Sequence, residues 1–196
     1  MEKVSFTNMS EGTKEEYDFL ESLEHTFKAD LPSKLLKAVA DLEHSLSGYQ
    51  ISRLDHVLQS ATRAYESKES EQMIAAALLH DIGDDLAPYS HSEMAAAIIR
   101  PFVSDEIYWV VKHHGLFQMY YYAHHSGGDR NARDQFKDNI YYETAVHFCH
   151  EYDQNCFDPN YPSKPLSFFE PLIHRVFSKP LEDDLEQQAR YGIENS

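Results

Sequence analysis

A histidine and an aspartate, His80-Asp81, follow directly on the apolar run Met73-Ile74-Ala75-Ala76-Ala77-Leu78-Leu79. A helix apolar on every side is buried. The run therefore delivers an imidazole and a carboxylate into the interior, where an unpaired charge is costly. Projecting the other helices at about 100 degrees per residue finds more titratable groups among apolar ones. His114 lies at the centre of the stripe Ile107, Val110, Val111, Phe117 and Tyr121, whereas its neighbour His113 does not. His91 joins Met94, Ala95, Ile98 and Phe102, and Asp153 extends the line Tyr142, Val146, Cys149. Taken singly, each has an ordinary explanation: a histidine on an apolar stripe is more often a core residue with a satisfied hydrogen bond, and an aspartate near a helix end is more often a cap. Together they are inward-pointing groups in a chain with few inward-facing cations, and a metal ion satisfies them all. Imidazole nitrogen and carboxylate oxygen suit iron, manganese or zinc, while the lack of thiolates disfavours a structural zinc site. Adjacent residues on a helix diverge by about 100 degrees, so His80 and Asp81 reach one centre most easily if the carboxylate bridges two metals, roughly 3.5 to 4 Å apart.

The elements that must position these groups are helical. Thr13 with Glu16 is a capping-box start for a helix to about Phe27, and Leu31-Pro32 opens another to Leu46, stopped at Gly48. Ser52 caps a third helix through about Tyr65, Ser70 a fourth through about Ile82, and Ser90 with Glu93 a fifth through Phe102. A sixth starts at Ser104 or Asp105 and runs through "IYWVVKHHGLFQMYYYAHH" to just before Ser126-Gly127-Gly128. Further helices are expected over Asn139 to Tyr152 and Leu166 to Phe177, with loop at 158–162 and 164–165. Nothing alternates with period two, so the expected fold is a single all-α domain. The expected organisation is an N-terminal segment and helix over 1–30 packing on a helical bundle over 31–180, then an acidic tail over 181–196.

Bulk properties narrow the partners. Seventeen basic residues face 33 acidic ones, a net charge of −16, and a field of that sign repels nucleic acid and anionic lipid. No apolar run approaches the roughly 20 residues of a membrane span, and no signal peptide opens the chain, so a cytoplasmic protein acting on a small molecule is expected, as a monomer or small homo-oligomer. Cys149 and Cys156 are read as reduced thiols.

The ordered set of residues resembles the HD-domain superfamily, an all-α helical bundle that binds one or two metals through a histidine and a His-Asp pair. The resemblance is carried by His56 in "RLDHVLQSATRA", His80-Asp81 in "LLHDIGD", His91 in "YSHSEMAAA", His114 in "VVKHHGLF" and Asp153 in "FCHEYDQ", over about residues 46 to 177. Within the superfamily it is similar to the mixed-valent diiron oxygenases, which include myo-inositol oxygenase and the small enzymes that cleave carbon–phosphorus bonds of hydroxyphosphonates. The tail "FFEPLIHRVF" and small size resemble the latter most, including the enzyme acting on 1-hydroxy-2-(trimethylammonio)ethylphosphonate. The resemblance implies that His56, His80 and Asp153 hold one iron, His91 and His114 the other, and Asp81 bridges them, with His80 and Asp81 at the catalytic centre. It implies two iron ions in a mixed-valent Fe(II)/Fe(III) state, with O2 as co-substrate. The pattern of its own helix sets His56 opposite the stripe Leu54, Val57, Leu58, Ala61. It reads equally as a surface histidine unless that helix is covered on both sides.

Departures from the phosphonate enzymes fall at substrate contacts. Asp84 stands where they typically place a histidine, Gln118 where they have lysine, and His150 where they have arginine. Replacement cations are available in Arg130, Arg133, Lys137 and His124, near the glycine turn. Tyr49 stands where the enzyme for a primary amine carries a carboxylate. A quaternary ammonium has no N–H to donate and is held by aromatic faces, at about 0.5 to 2 kcal/mol each. Tyr49, Tyr108, Trp109, Phe117 and Tyr120-Tyr121-Tyr122 supply such faces, although most are also natural core residues. The substrate-contact set is thus Tyr49, Asp84, Phe117, Gln118, Tyr121, Arg130, Arg133 and His150. The reaction implied is O2-dependent oxidation of a 1-hydroxyalkylphosphonate with cleavage of its C–P bond; for the (1R)-trimethylammonio compound the products are glycine betaine and phosphate. The rival is metal-dependent hydrolysis of a phosphomonoester or nucleotide, with Asp84 as general base. A noncatalytic small-molecule sensor is a third reading, which a complete ligand set disfavours.

Overall fold

The structure, a computed structural model, describes residues 2–181. Except for Leu181, the acidic tail expected over 181–196 therefore lies outside the described residues. Eight α-helices and short 3-10 turns make up the secondary structure among the described residues: α1 (Lys14–Ala29), α2 (Leu31–Asp41), α3 (Arg53–Glu66), α4 (Glu71–Leu79), α5 (His91–Ile99), α6 (Asp105–Tyr122), α7 (Tyr142–Glu151) and α8 (Leu166–Phe177). None of them is long and apolar enough to cross a membrane. The all-α fold expected from periodicity is the fold found.

The start signals act as their chemistry dictates. Thr13 and Glu16 form a reciprocal capping box at α1, Ser52 and Asp55 form another at α3, and the Ser70 and Ser104 side chains accept from Met73 N and Ile107 N. Ser90 differs: its side chain makes no cap bond, and its own N–H donates to Ala87 O. The turn before α5, not a cap, fixes where that helix starts.

Four helices stop several residues earlier than periodicity predicts, and one of them, α5, gives way after Ile99 to a 3-10 turn at Arg100–Phe102. Beyond Asp41 the chain tightens into a 3-10 turn at Leu42–His44, which buries Leu42 and ends α2 short of Leu46. After Leu79 the chain leaves α4 in consecutive tight turns, with Ile82 N donating to Leu79 O and Asp84 N to Asp81 O. His80 and Asp81 thus sit in a turn rather than on a helix face. At its end α6 passes into a 3-10 turn at Ala123–Ser126, closed by Gly127 at a φ of 77°. α7 begins at Tyr142 rather than Asn139, because the Asn139 side chain and carbonyl accept from Tyr141 N and Tyr142 N in the preceding turn. A 3-10 segment at Ala132–Phe136, packed on α6, was not expected from the sequence.

α4 is the central helix. Every residue from Met73 to Leu79 is buried, and the helix packs against α3, α6 and α8. α5 packs on α6, α6 on α7, and α8 closes the bundle over α2 and α4. By contrast α1 rests on α2 and buries only Glu16. The core therefore surrounds the C-terminal end of α4, where His80 and Asp81 emerge.

Candidate metal centre

Three of the imidazoles are oriented by the backbone of the elements that carry them. His80 Nδ1 lies 2.8 Å from Ala77 O, His114 Nδ1 2.7 Å from Val111 O, and His56 Nδ1 2.9 Å from Cys156 O. A carbonyl only accepts, so each Nδ1 carries a proton and each Nε2 is the nitrogen turned to the cluster, open to a metal or to a proton shared with its neighbour. His56 is buried because α3 is covered on both sides, by α2 and α4 and by α7 with the chain beyond it. Phe157 stacks on its ring at 4.4 Å between centroids.

The lone pairs converge in two pairs. His56 Nε2 is 3.1 Å from His80 Nε2, and His91 Nε2 is 3.2 Å from His114 Nε2. Asp81 lies between the pairs and divides its oxygens: Oδ2 is 3.5 Å from both His56 and His80, while Oδ1 is 3.3 Å from His114 and 3.6 Å from His91. Asp153, in the turn after α7, sets Oδ1 3.5 Å from His56 Nε2 and 3.8 Å from His80 Nε2. Its Oδ2 is buried without a hydrogen-bond partner. Ligand atoms of His56, His80 and Asp81, of His80, His114 and Asp153, and of Asp81, His91 and His114 lie within 4.8 Å of one another in each group.

These residues fit metal ions. Facing nitrogen lone pairs about 3 Å apart repel unless a cation joins them, and two nitrogens each about 2.0 to 2.1 Å from one ion stand at about that separation. An Nδ1–H held by a backbone carbonyl is the usual support for such a ligand. The orphaned Asp153 oxygen supplies a further donor. Neither cysteine belongs to the donor set: burial raises both thiol pKa values, and Cys149 Sγ is turned to His114 O. The donors are nitrogen and oxygen only, the set of a divalent transition ion.

Electrostatics within the cluster are divided. Burial disfavours charge on Asp81, yet His80, His114 and His56 around it hold it well below the usual carboxylate range. Burial also presses His56 and His114 towards neutrality, but bonding to Asp153 and Asp81 respectively, with both carboxylates acting through space, outweighs it and raises both pKa values. Burial wins at His80, lowered to about 4, and at His91, lowered by burial and then by His114. Asp84 is pushed up to about 6, first by burial and then by the Asp81 charge.

Other residues of the expected site are dispersed around this centre. Gln118 Nε2 donates to Asp153 Oδ1 at 2.5 Å. Tyr121 Oη, three residues further along α6, is 3.2 Å from His150 Nδ1 in the last turn of α7. Asp84 Oδ2 lies 2.6 Å from Arg53 Nε. Tyr49 is half exposed and stacks on Phe157 at 5.0 Å. Phe117 is fully buried in an aromatic core with Trp109, Phe136 and Tyr142. Arg130 and Arg133 lie over the Tyr120 ring, with guanidinium carbons 4.3 and 3.8 Å from its centroid. The other suggested cations are occupied or remote: Lys137 pairs with Asp134 at 2.8 Å, and exposed His124 stacks on His125.

Three residues that sequence reasoning passed over belong here. Arg53, largely buried in the first turn of α3, reaches Asp81 Oδ2 at 3.3 Å as well as Asp84. It had a signal, being one turn before His56 on the same helix. Phe157 had none. Gly83 permits the approach of α5: a Cβ there would meet His91 O at 2.7 Å and His91 Cα at 3.0 Å. Neither backbone atom can yield cheaply, so this position requires glycine.

A family model described as HD domain matches residues 41–145, more than half of the chain. The match contains His56, His80, Asp81, His91 and His114 and ends before Asp153. No curated protein matches the chain.

Proposed function

From the premise that the chain belongs to the HD-domain family, whose members are generally metal-dependent enzymes, we propose that it is a diiron oxygenase that oxidises a 1-hydroxyalkylphosphonate with O2 and cleaves its C–P bond. The observation that carries this reading is the division of Asp81, one oxygen to each imidazole pair. A carboxylate shared in that way supports two metals rather than one, and the choice of oxygenation over two-metal hydrolysis rests on the resemblance of the six-residue ligand set.

His56, His80 and Asp153 would hold one iron, His91 and His114 the other, and Asp81 both. Two irons so held supply O2 binding and one-electron oxidation. The protein's own groups do the rest. Gln118 pins Asp153 Oδ1 and leaves Oδ2 free to donate. Arg53 holds Asp81 and Asp84 together at the edge of the centre. The Tyr49–Phe157 stack covers His56 and keeps water from that side. The best substrate in this reading is (1R)-1-hydroxy-2-(trimethylammonio)ethylphosphonate, giving glycine betaine and phosphate. The balance closes: one oxygen atom of O2 enters the carboxylate and the other the phosphate, so the O–O, C–P and carbinol C–H bonds are the ones broken. Exposed faces of Tyr49 and Tyr122 are available to the trimethylammonio group.

The test is to load the protein with Fe(II) anaerobically, add substrate and then O2, and follow O2 uptake and phosphate release. One phosphate per O2 is expected. Cleavage of a phosphate ester that proceeds equally well without O2 overturns the reading in favour of hydrolysis, and ligand binding without turnover overturns it in favour of a sensor. Tyr49→Ala is expected to raise KM for the trimethylated substrate several-fold more than for its unmethylated analogue.

A further inference from the structure

We infer that Arg133 and Arg130, with the Tyr121–His150 rung beside them, form a subsite for a phosphoryl or phosphonyl oxyanion one turn of α6 beyond Gln118, the residue that holds Asp153. Arg133 is 9% exposed, and its Nε and Nη1 are buried without a hydrogen-bond partner. Arg130 Nε is in the same condition. Among the described residues neither arginine forms an ion pair with a carboxylate. This is unexpected in a chain of net charge −16, where acidic groups outnumber basic ones almost two to one. Of the acids adjacent in sequence, Asp129 Oδ1 accepts from Asn131 N, and Asp134 is turned to Lys137 and to the Tyr142 hydroxyl.

The contrast with the other buried arginine is informative. Arg53 sits between two carboxylates, so its charge is answered within the protein. Arg133 has no carboxylate in ion-pair contact: it lies against the π face of Tyr120, 3.8 Å from the guanidinium carbon, and bonds the Tyr121 side chain, with Asp134 acting on it only through space, and Arg130 is held over the same Tyr120 ring. A buried cation without a counter-ion is costly, and two guanidiniums brought together compound the cost. Three donor nitrogens from two cations match an anion with several terminal oxygens and two negative charges better than a carboxylate.

The position ties this subsite to the metal centre. α6 is joined by two successive rungs to α7 and the turn that follows it, Tyr121 to His150 on α7 and Gln118 to Asp153 in the turn. On α6 the two are three residues apart, about 4.5 Å along the axis. The charge of Arg133 acts on both Tyr121 and Cys149, and Cys149 also feels Asp153. An oxyanion on the outer rung would therefore belong to a molecule whose other end reaches the ligands. Its assignment as the anionic end of the substrate rests on the function proposed above, but anion binding itself does not.

The experiment uses metal-free protein, with inorganic phosphate and methylphosphonate as probes and acetate as comparison, read by calorimetry and by phosphorus line broadening. Phosphate and methylphosphonate are expected to bind the wild type and acetate to bind far more weakly. Arg133→Gln should weaken phosphate binding roughly tenfold or more, with Arg133→Lys recovering part of the loss. Arg130→Gln, at a less buried position, provides the same reading if Arg133→Gln fails to fold. Failure of wild type to bind phosphate, or equal affinity in wild type and both glutamine variants, overturns the subsite. Iron content of Arg133→Gln is measured alongside. Normal iron with lost phosphate supports the subsite, whereas phosphate bound by a wild type that takes up no iron sinks the diiron reading and leaves the subsite standing.

Discussion

His56 and His80 are sealed inside the bundle, whereas His91 meets solvent with 29% of its side chain. The sealed pair comes from the middle of a doubly covered helix and the end of the central one. The open pair depends on the first residue of α5, held against the bundle by a turn with no room for a Cβ at Gly83. One carboxylate spans both environments. A sealed site fixes an ion, and an open one exchanges a ligand. Two ions in this centre would therefore be unequal by construction, with the exchangeable positions on the His91 side.

The largest test of this asymmetry removes what the two sides share. Asp81→Ala should abolish activity and cut metal content on both sides together, since each pair loses an oxygen donor and four histidines lose the charge opposite them; removing one partner from such a buried set costs about 3 to 5 kcal/mol. Loss confined to one metal, measured by elemental analysis, would break the picture of a shared carboxylate. Next in size, His56→Ala and His91→Ala should differ. His56→Ala, at 1% exposure, should lower Tm and remove the sealed metal. His91→Ala should leave Tm nearly unchanged and remove only the open one. Equal Tm loss in the two variants would contradict the sealed and open assignment.

Gly83→Ala sharpens the comparison further. The added methyl meets backbone of His91, so a cost of about 1 to 3 kcal/mol is expected, together with weaker metal binding on the open side only. The smallest effect is in proton balance. Each pair has one imidazole raised and one lowered, His56 over His80 and His114 over His91. Without metal, each pair shares one proton. The raised members hold that proton at and below their folded pKa values, which lie above 6.5, so protons compete with metal increasingly as pH falls through that region. Proton release on metal addition in weakly buffered solution should grow as pH is lowered, because more of the raised imidazoles then carry the proton that metal displaces; release independent of pH would contradict the pairing.

Much of this centre was legible because the signal lay within single helices. α4 is apolar all round, and such a helix can only end in the core, so His80 and Asp81 announced themselves. His114 and Asp153 followed from stripes. His56 did not, because what buries it comes from a hundred residues away: the Cys156 carbonyl that orients it and the Phe157 ring that covers it. Arg53 was hidden in a first helical turn, where charge ordinarily reads as cap or surface. The burial of Arg133 was invisible for a related reason, since the charged stretch 129–138 becomes interior only by folding onto α6. Helix ends were the weakest reading. α4 leaves its helix at Leu79 through tight turns, which hydrophobic period does not encode, and that departure is what aims Asp81 between the two pairs.

The most direct measurement of the central claim is metal stoichiometry, with iron oxidation states, in protein produced with ample iron and handled anaerobically. The proposed function predicts two irons per chain, coupled through Asp81, with the His91-side ion removed first by a chelator. One iron or none per correctly folded chain, or two that behave as independent ions, would contradict it.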